Sequence, residues 1–220
     1  MSEGTSPRVK ITELFFSIQG ESSHAGRPCA FIRLTGCPLR CNWCDTTYSF
    51  HGGTWMDFDQ ILNQLQVWGA TLVEVTGGEP LAQKVSLDLM KTLCDAGYEV
   101  LLETAGAHDI GPVDERVTKI VDVKCPGSGE THRNRWENLG ILGPRDEVKF
   151  VIADRTDYEY ARQVLGQYGL DRRQPLALFS PVHGQVQLTD LAAWILEDKL
   201  PVRMQLQLHK YIWGPEKTGV

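Results

Sequence analysis

The chain has 220 residues, and its 22 Lys and Arg against 28 Asp and Glu give a formal net charge of −6. That length predicts a single domain over residues 1–220. The acidic balance argues against binding to nucleic acid, which needs a basic face. No apolar run is long enough to span a membrane, and the N-terminus lacks a signal-peptide pattern, so we expect a cytoplasmic protein.

Short apolar runs alternate with helical segments along the chain, which predicts an α/β fold with a mainly parallel sheet. The first segment, Ile11–Gly20, is predicted as a strand or hairpin packed before the core. The predicted strands of the sheet are Ala30–Leu34, Thr71–Val75, Glu99–Leu102, Lys119–Val123, Glu147–Ile152, Leu176–Phe179 and Val202–Leu206. The predicted helices are Phe58–Trp68, Leu87–Ala96, Asp157–Tyr168 and Leu191–Asp198.

Helix ends are predicted from residues with a preference for caps. Side chains that can accept a hydrogen bond from the first turn predict N-caps at Asp57, Ser86 and Thr189. Glycines predict the C-terminal stops at Gly69, Gly97 and Gly169.

A closed eight-stranded barrel of parallel strands needs about 250 residues. We therefore expect a partial TIM-like barrel that is open on one side, with its site at the carboxyl ends of the strands. Polar or glycine-rich segments follow the predicted strands at that edge: Cys37–Cys44, Thr76–Pro80, Glu103–Gly106, Lys124–Gly127 and Ser180–His183.

Three cysteines stand close together at Cys37, Cys41 and Cys44. Thiolates are the ligands of iron–sulfur clusters, and a cubane normally takes four of them. Three thiolates without a fourth would leave one iron open for a small molecule. A structural zinc site is the alternative, although it wants four ligands and no second Cys-x-x-Cys pair follows. The remaining cysteines, Cys29, Cys94 and Cys125, stand singly, and burial is predicted for Cys29 and Cys94.

The cysteine run, with Trp43 before its last cysteine, resembles the signature of radical S-adenosylmethionine enzymes. Thr76–Pro80 resembles the second motif of that superfamily, whose glycines let the backbone approach the cofactor. The resemblance implies a partial barrel of the radical S-adenosylmethionine type. It also implies a [4Fe–4S] cluster on the three cysteines, whose open iron binds S-adenosylmethionine for reductive cleavage to a 5′-deoxyadenosyl radical.

Four segments are similar to one family of that superfamily, 7-carboxy-7-deazaguanine synthase: Glu13–Glu21, Phe31–Cys37, Trp43–Thr46 and Gln205–Tyr211. The resemblance implies a carbon–nitrogen lyase that converts 6-carboxy-5,6,7,8-tetrahydropterin to 7-carboxy-7-deazaguanine with loss of ammonia, in the route to queuosine and other deazapurines. It also implies Mg²⁺, regeneration of S-adenosylmethionine, a homodimer, and an electron donor such as flavodoxin or ferredoxin.

The same resemblance assigns site residues, none of which is itself a catalytic group because the radical arises on the cofactor. The residues implied to bind substrate are Ile18, Gln19, Gly20, Glu21, Arg33, Thr76 and His209. The residues implied to bind S-adenosylmethionine are Trp43, Cys44, Asp45, Gly78, Cys125, Pro126, Gly127, Ser180, Pro181, Val182 and His183. Thr46 is implied to bind Mg²⁺, a cation that prefers hard oxygen ligands.

Several of these assignments have structural alternatives. Gln19 and Glu21 can pair with the amide and amino groups of a pterin, or can form a polar turn. Arg33, in an apolar strand, can meet the substrate or form an ion pair with Glu21 or Glu13.

Three further residues carry the same ambiguity. Thr46 and His209 can be structural residues, and Cys125 can be a buried thiol. In some family members the chain terminus reaches the substrate, but Trp213–Val220 extends past that point here, so no such contact is assigned.

Two other functions compete with this interpretation. An activase that installs a glycyl radical on a partner protein can share the three-cysteine motif, but it needs an exposed groove rather than a polar pocket. A metal-stabilised binding module without catalysis would leave the strand-end motifs without a role.

Overall fold

The computed structural model describes residues 6–171 and 176–220. The strands of the described residues are β1 Arg8–Ile18, β2 Pro28–Leu34, β3 Thr54–Asp57, β4 Leu72–Gly77, β5 Glu99–Thr104, β6 Thr118–Val123, β7 Glu147–Ile152, β8 Leu176–Pro181 and β9 Arg203–Met204. The α-helices of the same residues are α1 Phe58–Trp68, α2 Ser86–Asp95, α3 Glu137–Gly140, α4 Arg155–Tyr168, α5 Leu188–Glu197 and α6 Leu208–Ile212. Short 3-10 turns lie at Thr47–Ser49, Pro80–Ala82, Pro126–Ser128 and Thr131–Arg133.

The strands form one sheet in the order β3-β1-β2-β4-β5-β6-β7-β8-β9. Every pair from β2 through β9 in that order is parallel. Among residues 6–171 and 176–220 the two end strands, β3 and β9, do not pair with each other, so the sheet stays open. This arrangement confirms the predicted open partial barrel with a mainly parallel sheet.

The central strands read as apolar runs because they are covered on both faces. In β4 the residues from Leu72 to Thr76 are all buried, and in β7 only Val151 is partly exposed. The largest buried cluster joins these strands to α1, α2, α4 and α5. No helix among the described residues is long and apolar enough to cross a membrane.

The N-terminal segment belongs to the sheet itself. The strand predicted within Ile11–Gly20 is β1, which pairs antiparallel with β2 and also with β3. The sequence did not predict β3, because this edge strand has four residues and none of them is buried. The predicted last strand, Val202–Leu206, is reduced to Arg203–Met204.

Helix α1 has the predicted bounds because both of its ends are fixed locally. Asp57 accepts from the backbone of Gln60, whose side chain bonds back to the Asp57 backbone, and Gly69 ends the helix in the left-handed region. Gly169 ends α4 in the same way.

Two predicted N-caps are wrong, and three helices, α2, α4 and α5, begin earlier than predicted. Ser86 lies inside α2 after the cap Val85, and Thr189 lies inside α5 after the cap Gln187. Neither Val85 nor Gln187 forms a side-chain cap hydrogen bond. Asp154 caps α4 by accepting from the backbone of Asp157, so that helix begins at Arg155.

Candidate active site

A cavity of about 410 Å³ lies at the carboxyl ends of the parallel strands. Most of the residues predicted to bind metal, cofactor or substrate line it: Ile18, Gln19, Gly20, Glu21, Arg33, Cys37, Cys41, Trp43, Cys44, Asp45, Thr46, Thr76, Gly78, Val182, His183 and His209. Residues from distant parts of the chain meet here because parallel strands end at one edge of the sheet.

The three cysteines occupy the loop that follows β2. All three are free and partly exposed, whereas Cys29 and Cys94 are buried as predicted and Cys125 is buried as well. The loop is fastened at both sides, since Gly36 donates to the carbonyl of Ser49 and Asn42 donates to the carbonyl of Ser128. The backbone therefore holds the thiols on the cavity side.

The donor set fits an iron–sulfur cluster. Burial raises the pKa of the Cys37 and Cys41 thiols, and the thiols of this loop also influence one another electrostatically. Cluster binding must therefore displace their protons. Among residues 6–171 and 176–220, no three His, Cys, Asp or Glu side chains are arranged around a single ion. That finding does not conflict with a cubane, because its thiolates bind different irons and stand farther apart.

Gly78 lines the cavity and packs directly against the cysteine loop. A Cβ placed there would lie 2.3 Å from the carbonyl oxygen of Gly36 and 2.7 Å from the Cβ of Cys37. The neighbouring Glu79 is fully buried, and its carboxylate accepts from the backbone N–H groups of Leu81 and Ala105. The motif therefore locks the end of β4 against the cysteine loop, with no room for a side chain between them.

A charged pair lies beside the cysteines at the end of β6. The Lys124 ammonium is 2.7 Å from Oδ2 of Asp122, and both residues line the cavity. Asp122 is 7% exposed, and its other oxygen, Oδ1, is buried without a hydrogen-bond partner among the described residues. An unpaired buried acceptor is costly, so this oxygen is suited to a donor on a bound molecule.

Thr46 stands directly after the cysteine loop. Its Oγ1 is 3.7 Å from the Sγ of Cys44, and it lines the cavity. Its carbonyl oxygen accepts from both the backbone and the hydroxyl of Ser49. The backbone of Thr46 thus stabilises the turn while its hydroxyl faces the cavity, and the assignment to Mg²⁺ stays a prediction.

Both polar atoms of the Gln19 side chain form hydrogen bonds within the protein. Its Nε2 donates to Oε2 of Glu74 at 2.5 Å, and its Oε1 accepts from the backbone of Glu21 at 3.1 Å. Gln19 is 2% exposed. The side chain therefore fixes the turn that carries Glu21, and substrate contacts from this segment fall to its backbone and to Glu21.

Arg33 forms the ion pair that was its structural alternative. Its Nε is 2.6 Å from Oε1 of Glu13, which also accepts from the hydroxyl of Tyr48 at 2.6 Å. Arg33 still lines the cavity. The predicted substrate contact would therefore use the Nη atoms, with Glu13 holding the guanidinium in place.

The C-terminal segment closes the side of the cavity near Gly20. A Cβ on Gly20 would lie 2.7 Å from Nδ1 of His209, so only glycine allows this contact. Burial lowers the pKa of His209 and favours its neutral ring. Lys210 is 2.7 Å from Oδ2 of Asp45. Burial raises the pKa of Asp45, but the charge and hydrogen bond of Lys210, with the charges of Arg33 and Lys149, together lower that pKa below its ordinary value.

Five residues predicted to bind S-adenosylmethionine lie outside the cavity lining: Cys125, Pro126, Gly127, Ser180 and Pro181. Cys125 is 1% exposed within the main core, which is its buried-thiol alternative. Gly127 supports the cysteine loop instead, since its carbonyl accepts from Asn42 and its Cα packs against Trp43. The structure brings these residues next to the predicted cofactor residues but not into the cavity wall.

The chain terminus also lines the cavity, although no contact was predicted for it. Residues 215–220 all contribute to the wall. Gly219 lies near the carboxylate of Glu13. The extension past the His209–Lys210 pair therefore folds back over the cavity rather than away from it.

Sequence reasoning assigned no role to several charged residues of the cavity, among them Glu74, Glu103, Asp122 and Lys149. Each lies in a strand whose buried residues are mostly apolar, and this was the available signal, because burying a charge without a partner is expensive. No motif distinguishes them from surface charges at a strand end.

Comparisons with known proteins agree with this geometry. Residues 31–167 match the radical SAM superfamily. The 7-carboxy-7-deazaguanine synthase of Koribacter versatilis is 49% identical, over 96% of this chain and 100% of that protein. A protein of the same name from Chlorobaculum tepidum is 47% identical, over 98% of this chain and 99% of its own length. The crystal structure of QueE from Escherichia coli has the same fold, with a TM-score of 0.76 at 23% identity, covering 91% of this chain and 94% of that one.

The superfamily match and the open parallel sheet place the chain among the radical S-adenosylmethionine enzymes. That superfamily carries a [4Fe–4S] cluster, which favours a cluster over zinc, and the assignment of Cys37, Cys41 and Cys44 as its ligands stays a prediction. The identities to relatives over nearly their full lengths go further, and the chain belongs to the 7-carboxy-7-deazaguanine synthase family. The predicted cofactors, a [4Fe–4S] cluster, S-adenosylmethionine and Mg²⁺, are those of this family.

Proposed function

We propose that this chain converts 6-carboxy-5,6,7,8-tetrahydropterin to 7-carboxy-7-deazaguanine with loss of ammonia. The observation that supports this most directly is the polar cavity that joins the cysteine loop to Glu21, Arg33 and Thr76. The activase alternative needs an exposed groove for a polypeptide, whereas residues 215–220 add a further wall to this cavity. Anaerobic incubation with reductant, S-adenosylmethionine, Mg²⁺ and the pterin tests the proposal by mass detection of product. Absence of product from cluster-loaded protein would contradict it.

When bound, the cluster and S-adenosylmethionine supply the 5′-deoxyadenosyl radical. Cys37, Cys41 and Cys44 would hold the cluster, and the backbone of Gly78, which lines the cavity, would meet the amino-acid part of the cofactor. The unpaired oxygen of Asp122 would accept a hydrogen bond from a donor on that cofactor. The chain's own contribution is to orient both molecules and to exclude water.

The substrate would lie on the opposite side of the cavity. The carboxylate of Glu21 would accept from N–H groups of the pterin, and the guanidinium of Arg33 would meet its carboxylate. The hydroxyl of Thr46 would ligate Mg²⁺, with substrate oxygens completing the shell. Arg33→Ala should therefore weaken substrate binding and leave the cluster intact.

The setting of the enzyme is also part of the proposal. We expect residues 1–220 to act as one radical S-adenosylmethionine domain, in the cytoplasm, as a homodimer. A flavodoxin or ferredoxin would deliver the electron to the cluster. Thiolate clusters of this kind require a reducing compartment, which supports the cytoplasm.

We predict that Mg²⁺ accelerates turnover through Thr46. Misplacement of a reacting group by about an ångström can cost on the order of a hundredfold in rate, and Mg²⁺ would fix the substrate carboxylate. Thr46→Ala should therefore lose most of the magnesium response while retaining its cluster. Thr47→Ala, which changes the next residue of the same wall, is the matched control. A normal magnesium response in Thr46→Ala would return Thr46 to a purely structural role.

We also predict that the C-terminal extension contributes to substrate binding. Removal of residues 214–220 would open one wall of the cavity, and KM for the pterin should rise about tenfold, equivalent to ~1.4 kcal/mol. Cluster absorbance should not change, because the cysteine loop lies elsewhere. A variant in which residues 214–220 are replaced by a Gly/Ser segment of the same length is the control. It distinguishes the loss of specific side-chain contacts from the loss of chain at the cavity wall. An unchanged KM in the truncated protein would show that the extension has no such role.

A further inference from the structure

A buried lysine connects two carboxylates at the centre of the cavity. Lys149, in β7, is 5% exposed, and its Nζ lies 3.0 Å from Oε2 of Glu21. The same ammonium contacts Oε1 of Glu103, at the end of β5. One cation therefore joins the turn after β1 to the opposite part of the sheet.

The remaining oxygens of the two carboxylates are bonded to neutral donors. Oε1 of Glu21 accepts from Nε2 of Gln207 at 2.9 Å. Oε2 of Glu103 accepts from the hydroxyl of Thr76 at 3.3 Å. The Lys149, Glu21 and Glu103 group has a net charge of −1 when all three are ionised. Each carboxylate has lone pairs left for a further donor.

The ionised states of Lys149 and Glu21 are favoured by their mutual contact. Burial lowers the pKa of Lys149, but the charges of Glu103 and Glu21 outweigh it and raise that pKa well above its ordinary value. Burial raises the pKa of Glu21, but the Lys149 charge, together with hydrogen bonds from Gln207 and Lys149, brings that pKa below its ordinary value. Two nearby carboxylates without a cation would instead share a proton, and one of them would become a donor.

Glu74 shows what happens to a carboxylate in the same cavity without an ammonium contact. Its Oε2 accepts from Gln19, and Lys149 is not among its hydrogen-bond partners in the described residues. Burial and the charge of Glu103 raise the pKa of Glu74 well above its ordinary value. The contrast indicates that Lys149 selects which carboxylates remain pure acceptors.

We propose that Lys149 is a positioning residue that holds Glu21 and Glu103 as paired acceptors for the N–H groups on the 2-amino-4-oxopyrimidine edge of the substrate. This inference rests on the proposed function and adds the basis of its specificity. Lys149 acts through the two carboxylates that it contacts, so this role needs no contact between Lys149 and the substrate. The two carboxylates lie in the cavity wall with Thr76, which is itself predicted to contact substrate.

This role predicts that the enzyme discriminates between the substrate and analogues that lack the N–H groups of its pyrimidine edge. A site whose buried acceptors bond substrate N–H groups can reject an analogue without those groups by factors on the order of 10⁴. The analogue that tests this is 6-carboxytetrahydropterin without its 2-amino group. Wild-type protein should bind the natural substrate far more tightly than this 2-desamino analogue.

The experiment measures dissociation constants for both compounds with cluster-loaded protein and S-adenosylmethionine, in the absence of reductant. In Lys149→Met we expect substrate affinity to fall on the order of a hundredfold, as for loss of hydrogen bonds to a charged group, with little change for the analogue. Lys149→Arg should retain most of the discrimination. Lys119→Met is the matched control, because Lys119 forms a comparable ion pair with Asp146, at 3.1 Å, outside the cavity wall.

Cluster absorbance is recorded for every variant. If Lys149→Met does not load its cluster, Lys149→Gln carries the same expectation, and Lys149→Arg tests the rescue. Equal losses for substrate and analogue in the neutral variants, or loss of discrimination in Lys149→Arg, would overturn the positioning role. Wild-type protein that makes product without discriminating between the compounds would also overturn it. Absence of product from wild-type protein would contradict the proposed function itself.

Discussion

Replacement of Cys41 by alanine should abolish cleavage of S-adenosylmethionine. Cys41 is the middle cysteine of the loop after β2, and a cluster with an open iron has only three protein thiolates. Loss of one thiolate leaves two irons without protein ligands, so both iron content and the optical absorbance of the cluster should fall to near background. Cys37→Ala and Cys44→Ala should behave in the same way.

Cys94→Ala is the control for this substitution. Cys94 is a buried thiol of α2 within the core, and it does not line the cavity. Its loss should leave cluster content near normal, with at most a small decrease in stability. A cluster that survives Cys41→Ala but disappears in Cys94→Ala would refute the ligand assignment.

Gly78→Ala should inactivate the enzyme although it adds only one methyl group. The new Cβ would lie 2.3 Å from a carbonyl oxygen and 2.7 Å from the Cβ of Cys37, so the cysteine loop must move. A displacement of about an ångström at a reacting group costs on the order of a hundredfold in rate. Both turnover and affinity for S-adenosylmethionine should therefore fall by about that factor or more.

Gly166→Ala provides the matched comparison. Gly166 is exposed within α4, and a Cβ there meets no other atom within 4 Å. Because glycine is less favourable than alanine inside a helix by roughly 0.5–1 kcal/mol, this variant should be slightly more stable and fully active. If Gly78→Ala retains wild-type activity and affinity, the close contact at the cysteine loop has no functional role.

The fold could largely be predicted from local sequence. Buried parallel strands such as β4 and β7 are mostly apolar, and α1 has its two end signals at the flanking residues Asp57 and Gly69. The strand β3 could not be predicted, because none of its side chains is buried and its place depends on pairing with β1.

In the site as well, features signalled by neighbouring residues could be predicted, and contacts between distant residues could not. The cluster loop was predictable because Cys37, Cys41 and Cys44 lie within eight residues of one another and their spacing is itself the signal. The contact between Lys149 and Glu21 joins residues 128 positions apart, and no local pattern records it. The folding of residues 215–220 over the cavity depends likewise on tertiary structure alone.

The central claim is that this chain catalyses a radical rearrangement of 6-carboxytetrahydropterin in which S-adenosylmethionine is regenerated. The most direct test uses substrate deuterated at the carbon that bears the carboxylate, incubated anaerobically with cluster-loaded protein, reductant and Mg²⁺. We expect 7-carboxy-7-deazaguanine as the product and deuterium in the recovered S-adenosylmethionine. Formation of one 5′-deoxyadenosine per product, with no label in the recovered cofactor, would contradict this account.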